Sequence, residues 1–87
     1  MNNYIATFFS HYDALTFFSL LKEQGLAGKL IPVPRKVSAS CGTCVSYESN
    51  EFTSDIEFIS ASQECEIEAI YIETDGKFTV IWVNDGD

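Results

Sequence analysis

The sequence predicts an α+β fold: a ferredoxin-like βαββαβ sandwich with an additional C-terminal edge strand and two helices on one face of the sheet. Three observations carry that expectation. Short runs of β-branched and aromatic residues recur along the chain, two amphipathic stretches with capping residues interrupt them, and an Asp75-Gly76 pair joins the last two β-rich runs. The 87 residues contain no repeat, linker or low-complexity tract, so the chain reads as one domain over residues 1–87, with 84–87 as a polar, frayed tail.

Tyr4 to Phe9 is rich in strand formers and opens the fold. Ser10 then caps a helix, with Asp13 at the third helical position as a weaker form of the capping box. Ala14, Leu15, Phe17, Phe18 and Leu21 recur at helical spacing as its inward face, and Lys22-Glu23-Gln24-Gly25 supplies a polar last turn and a glycine stop. Lys29 to Val33 is a second strand, which Pro32 and Pro34 keep out of a central ladder beyond that point. A loop from Arg35 to Thr43 follows, and Cys44 to Glu48 reads as a third strand. Thr53 or Ser54 caps a second helix running to about Glu64, with Ile56, Phe58 and Ile59 inward and Cys65 at its end. Ile67 to Ile72 and Phe78 to Val83 form a closing hairpin across Glu73 to Lys77. A strand, crossover helix and parallel strand bring the loop after Pro34 back to the edge where the first helix begins. Cys41 and Cys44 are therefore expected beside Ser10, His11 and Asp13, with Cys65 arriving at the same edge.

Composition narrows the partners. Thirteen Asp and Glu against five Lys and Arg give a formal net charge of -8, which opposes both nucleic acid and an anionic membrane surface. Ala14 to Leu21 is too short to span a bilayer, and Met1-Asn2-Asn3-Tyr4 lacks the basic region of a secretory signal, so the expected compartment is the cytoplasm. A domain this small has a thin stability margin, which 46% apolar residues, seven Phe among them, offset without staples. Three cysteines do not make a disulfide framework; in a reducing compartment they read as thiols or metal ligands.

The chemistry therefore centres on Cys41-Gly42-Thr43-Cys44. Arg35 and Lys36, two of the five basic residues, lie shortly before Cys41, and cationic neighbours favour the nucleophilic thiolate. The plainer alternative pairs Arg35 with a carboxylate and packs Cys41 as a small apolar residue. As a redox pair the Cys-x-x-Cys is misplaced, because it leads into a strand where the thioredoxin-type motif starts a helix. As half of a zinc site it needs Cys65 and His11, at untypical spacing. As a carrier it needs a single nucleophile able to hold a persulfide, with Cys44 available to resolve or protect the adduct. His11 otherwise reads as a surface residue, Cys65 as a structural one, and the Glu64, Glu66, Glu68 run as a solvated face. One histidine and no convergent carboxylate pair argue against an enzyme with its own acid-base machinery.

Leu30-Ile31-Pro32-Val33-Pro34-Arg35, followed by Ser38 and Cys41-Gly42 and preceded by Ile5-Ala6-Thr7-Phe8 and Asp13-Ala14-Leu15, resembles the Putative Se/S carrier protein-like family of small bacterial domains. The resemblance runs from Tyr4 to about Tyr71 and is most specific from Pro32 to Gly42. It implies sulfur or selenium handling, with Cys41 as the carrier thiol and Arg35, Ser38 and Gly42 in the surrounding motif. Cys44 and the Asp-rich tail depart from the family pattern. The expected partners are a protein donor such as a cysteine desulfurase and an acceptor protein, with no cofactor. Arg35 and Lys36 would steady the thiolate, and Gly42 would admit a partner's close approach. The alternatives are a non-catalytic interaction module, motivated by Phe78 and Trp82 on an edge strand, and a zinc domain on Cys41, Cys44, Cys65 and His11. A free edge strand also makes a homodimer by sheet extension an expectation.

Overall fold

A computed structural model describes residues 2–49 and 66–84 of the chain. Its elements are β1 (Asn2–Phe8), α1 (His11–Glu23), β2 (Gly28–Pro32), β3 (Thr43–Ser49), β4 (Ile67–Thr74) and β5 (Lys77–Val83). The strands form one sheet in the order β2-β3-β1-β4-β5, and every neighbouring pair is antiparallel. Because β3 is antiparallel to both β1 and β2, those two run parallel to each other, and α1 is the crossover between them with β3 inserted in the gap.

This is the α+β class that the sequence predicts, with the five expected strands and the last of them at a sheet edge. The described residues hold one helix, where two were expected, so they do not show a ferredoxin-like sandwich. The expected second helix, from Thr53 or Ser54 to about Glu64, lies outside the described residues, as does Cys65.

Local chemistry explains where the elements stop. The Ser10 side chain accepts the Asp13 backbone N–H at 3.2 Å, and its hydroxyl donates to the Asp13 carboxylate at 3.0 Å, which satisfies a free donor of the first helical turn. At the other end, the Leu26 N–H bonds the Leu21 carbonyl and the Gly25 N–H bonds the Lys22 carbonyl, a Schellman cap that Gly25 makes possible at φ +75°. The β4–β5 turn is tighter than the sequence suggests. Asp75 and Gly76 alone connect Thr74 to Lys77, at φ 51° and 79°, the type I′ arrangement that matches strand twist. Pro32 is the last paired residue of β2, which occupies the other edge of the sheet, so no ladder bond is lost to it in the interior.

The core lies between α1 and the sheet. Phe17 stands at its centre, its ring 5.2 Å from Phe8 and 5.6 Å from Tyr47, while Tyr47 stacks at 5.4 Å on Tyr4. The buried stripe of the helix is Ala14, Phe17, Leu20 and Leu21. Leu15, expected to face inward, is 41% exposed: it sits about 100° around the helix from Ala14, beyond the arc that reaches the sheet. Phe18 is half-buried and carries Lys22 over its ring at 4.8 Å. Alternation along β1 puts Tyr4, Ala6 and Phe8 against α1 and sends Ile5 and Thr7 to the opposite face, where both are also buried.

The I′ turn gives the first prediction. Replacing Gly76 with alanine forces a β-carbon into the left-handed region and should cost about 1 kcal/mol, read as a lower urea midpoint with an unchanged slope.

Candidate functional site

The ten residues from Val33 to Gly42 connect β2 to β3 and form a closed loop. The Val33 N–H donates to the Gly42 carbonyl at 3.1 Å and shuts its base. Within it, Val37 N–H donates to the Pro34 carbonyl at 3.0 Å, a turn that exposes Arg35 and Lys36 and drives the Val37 side chain into the protein. Two residues of β4 hold the far side. The Tyr71 hydroxyl donates to the Ser38 carbonyl at 3.4 Å, and the Glu68 carboxylate accepts both the Ser40 N–H, at 2.9 Å, and the Ser40 hydroxyl. A carboxylate gripping one residue through two donors fixes direction as well as distance.

Cys41 follows Ser40. It is half-buried and packs against the rim of the α1-side core. Its sulfur lies 3.4 Å from the Thr43 N–H, which it accepts, and 3.1 Å from the Thr43 carbonyl, to which the thiol donates. The Thr43 backbone thus offers the sulfur both a donor and an acceptor. Thr43 is in turn held by His11, whose Nδ1 is 3.2 Å from the Thr43 hydroxyl. Of the edge predicted from the crossover, one contact is seen: the first residue of α1 touches the first residue of β3, beside the loop that carries Cys41.

Other expected participants stand further off. Arg35 and Lys36 are exposed, and among the described residues neither makes an ion pair or a side-chain hydrogen bond. Ser38 contributes its carbonyl to the Tyr71 contact, and Gly42 its carbonyl to the loop closure. A β-carbon on Gly42 would meet nothing within 4 Å, and its φ is not positive, so no requirement of the fold dictates glycine there.

Cys44 has a different environment. It follows Thr43 in β3, next to Val45 of the α1-side core, and by alternation its side chain points to the other face of the sheet. It is fully buried, with its sulfur 3.9 Å from the Pro32 carbonyl. Burial, and secondarily the charge Cys41 would carry, push its thiol up from 9.0 to about 11. Both Cys41 and Cys44 are free thiols. Among the described residues no three His, Cys, Asp or Glu side chains cluster to hold a metal ion, and the fourth ligand of the zinc alternative, Cys65, lies outside them.

Sequence reasoning missed Glu68. Its place in an alternating acidic run suggests a solvated face, yet it is half-buried and anchors the residue before Cys41. Only the pairing of β4 with β1, which brings Ile67 opposite Phe8, puts it beside the loop. Thr43 and Tyr71 likewise carry no signal in the sequence, since Thr43 acts on the sulfur through its backbone and Tyr71 reaches a loop carbonyl 33 positions away.

Two expectations follow from the Cys44 environment. Peptide-resolved mass spectrometry after brief iodoacetamide treatment at neutral pH should find Cys41 alkylated well ahead of Cys44, which reacts only as the chain unfolds. The raised thiol also sets a stability window. The folded state keeps the Cys44 proton where the unfolded chain has lost it, so stability is intact below 9.0 and falls as pH climbs through about 11. The part of that slope due to this thiol should be absent from Cys44→Ala when denaturant midpoints of the two proteins are compared across the range.

No helix among the described residues is long and apolar enough to cross a membrane. Comparison with curated proteins and with solved structures finds no match in either set. A family model does match, over residues 3–72, and that span holds all but the first residue of β1, together with α1, β2, the Cys41 loop, β3 and most of β4. With the greater part of its length and every residue of the candidate site inside that match, the chain belongs to the family described as Putative Se/S carrier protein-like.

Proposed function

We propose that this protein carries sulfur or selenium on Cys41, taking it from a donor enzyme and passing it to an acceptor protein. Family membership supports the class of function, and the observation that carries the reading to a residue is the Cys41 sulfur held by the Thr43 N–H in a loop pinned at both ends. With a cysteine desulfurase as donor, the Cys41 thiolate attacks the outer sulfur of the donor's cysteine persulfide. The donor's sulfur–sulfur bond breaks, its thiolate leaves, and a new sulfur–sulfur bond forms on Cys41. The step is an exchange with no net oxidation, so it calls for no cofactor. Delivery repeats it with Cys41 as the leaving thiolate, and selenium would follow the same course through a donor carrying a selenium adduct.

The rest of the site serves this exchange. The Thr43 backbone positions the sulfur, its carbonyl accepting the thiol proton and its N–H donating to the sulfur, and the open space around Gly42 lets a partner's active site come close to the backbone. Arg35 and Lys36 place positive charge on the approach to the loop of an otherwise acidic chain. Cys44, buried and held as a neutral thiol, serves packing in this reading and takes no part in the transfer. A reducing cytoplasm is the compartment in which such a free thiol persists.

A second reading, an interaction module acting through β5, rests on one observation: this edge strand exposes Val80, Ile81 and Val83. The two separate cleanly. Incubation with a desulfurase and cysteine should add the mass of one sulfur to the intact protein, and Cys41→Ser should abolish the gain. A wild-type protein that never gains it rules out the carrier, while partner capture that survives Cys41→Ser but is lost on charging β5 with Val80→Lys favours the module.

A further inference from the structure

We infer that Glu68 is the positioning residue of the carrier thiol, latching the Cys41 loop to the sheet so that the sulfur stays half-shielded between partners. The inference rests on the carrier reading for its purpose but not for its geometry. Glu68 belongs to β4 and is 27 positions from Cys41 in the chain, yet its two carboxylate oxygens take both donors of Ser40, the residue joined to Cys41 by a peptide bond. On the other flank His11 of α1 holds Thr43, and Thr43 holds the sulfur. Cys41 is thus fixed between two anchors from different elements. The anchors differ in strength, because a charged, two-donor grip exceeds a single contact between an imidazole and a hydroxyl.

A carrier has two opposing needs. Between partners its outer sulfur must be kept from small thiols in solution, and during transfer it must be presented to a protein active site. Half-burial of Cys41 against the core rim answers the first need. The second is met if the loop swings as a unit, and the contacts that resist a swing are those that tie it to β4. The Tyr71 contact to Ser38 is a single long bond of 3.4 Å, so Glu68 carries most of the resistance on that side. Glu68 lies partly exposed at the rim, where a partner's own donor can compete for its carboxylate and open the loop on docking.

The test uses the full chain and reads loop and thiol separately. Hydrogen exchange at the Ser40 amide reports the latch, and the relative rates at which iodoacetamide and a bulky maleimide modify Cys41, resolved by peptide mass spectrometry, report shielding. In Glu68→Ala the Ser40 amide should lose roughly tenfold in protection, and the bulky reagent should gain about tenfold on the small one, since loss of a charged hydrogen bond shifts a local opening by about that factor. Ser40→Ala, which keeps the N–H arm alone, should fall between wild type and Glu68→Ala, and it serves as the variant should Glu68→Ala fail to fold. Unchanged thermal unfolding beside these changes separates a latch from general loosening. An unaltered reagent ratio in the variants, whatever the amide does, overturns the inference. Failure of the carrier reading shows itself elsewhere, as a wild-type protein that accepts no sulfur while its reagent ratio still depends on Glu68.

Discussion

Parallel alignment of β1 and β2, with β3 inserted between them, is the constraint on which the site depends. A helix joining two parallel strands must leave from one end of the sheet and deliver the chain back to the other, so the exit from β2 returns to the end where the helix began. The β2–β3 loop and the start of α1 thereby become neighbours although about thirty residues separate His11 from Cys41. Pairing of β4 with β1 then adds Glu68 and Tyr71 to the same edge. The start of α1 and two residues of β4 thus tie down a loop that would otherwise have only its own short-range bonds.

Those ties give two cysteines three positions apart different chemistry. Cys41 sits outside the strand, within reach of the Thr43 N–H and of solvent. Cys44 sits inside the ladder, facing away from the α1-side core, where transfer to a charged form is penalised. The Cys-x-x-Cys spacing that suggests partnership when read along the chain becomes, on a strand, a separation across the sheet. A spacing acquires meaning only from the element that carries it.

Much of the fold was legible because its signals are local. Ser10 with Asp13, Gly25, and Asp75-Gly76 each require a particular backbone conformation, and each appears where the sequence puts it. The extent of α1's buried face was less so: Leu15 has the right chemistry, but the angular reach of the sheet excludes it. At the site, the gathering of His11 with the Cys41 loop followed from the crossover alone. Glu68 did not follow from anything local, since an acidic residue in an alternating run looks the same whether it meets water or a serine 28 positions away. Long-range side-chain contacts of this kind depend on how strands pair and escape any reading by composition.

Burial of β1 on both faces has a consequence for how the chain finds its native pairing. In a strand with one wet face, a slip of one position turns apolar side chains toward water and is rejected at once. Here a slip would merely exchange Tyr4, Ala6 and Phe8 with Ile5 and Thr7, and every one of them is buried already. Hydrophobicity therefore says little about which alignment is correct, and volume must decide. Ala6, narrow between two rings on the α1 side, and Thr7, whose hydroxyl bonds the Ala69 carbonyl at 3.3 Å, mark the one alignment in which the packing closes. Enlarging Ala6 would thus blur the choice between alignments as well as crowd the core.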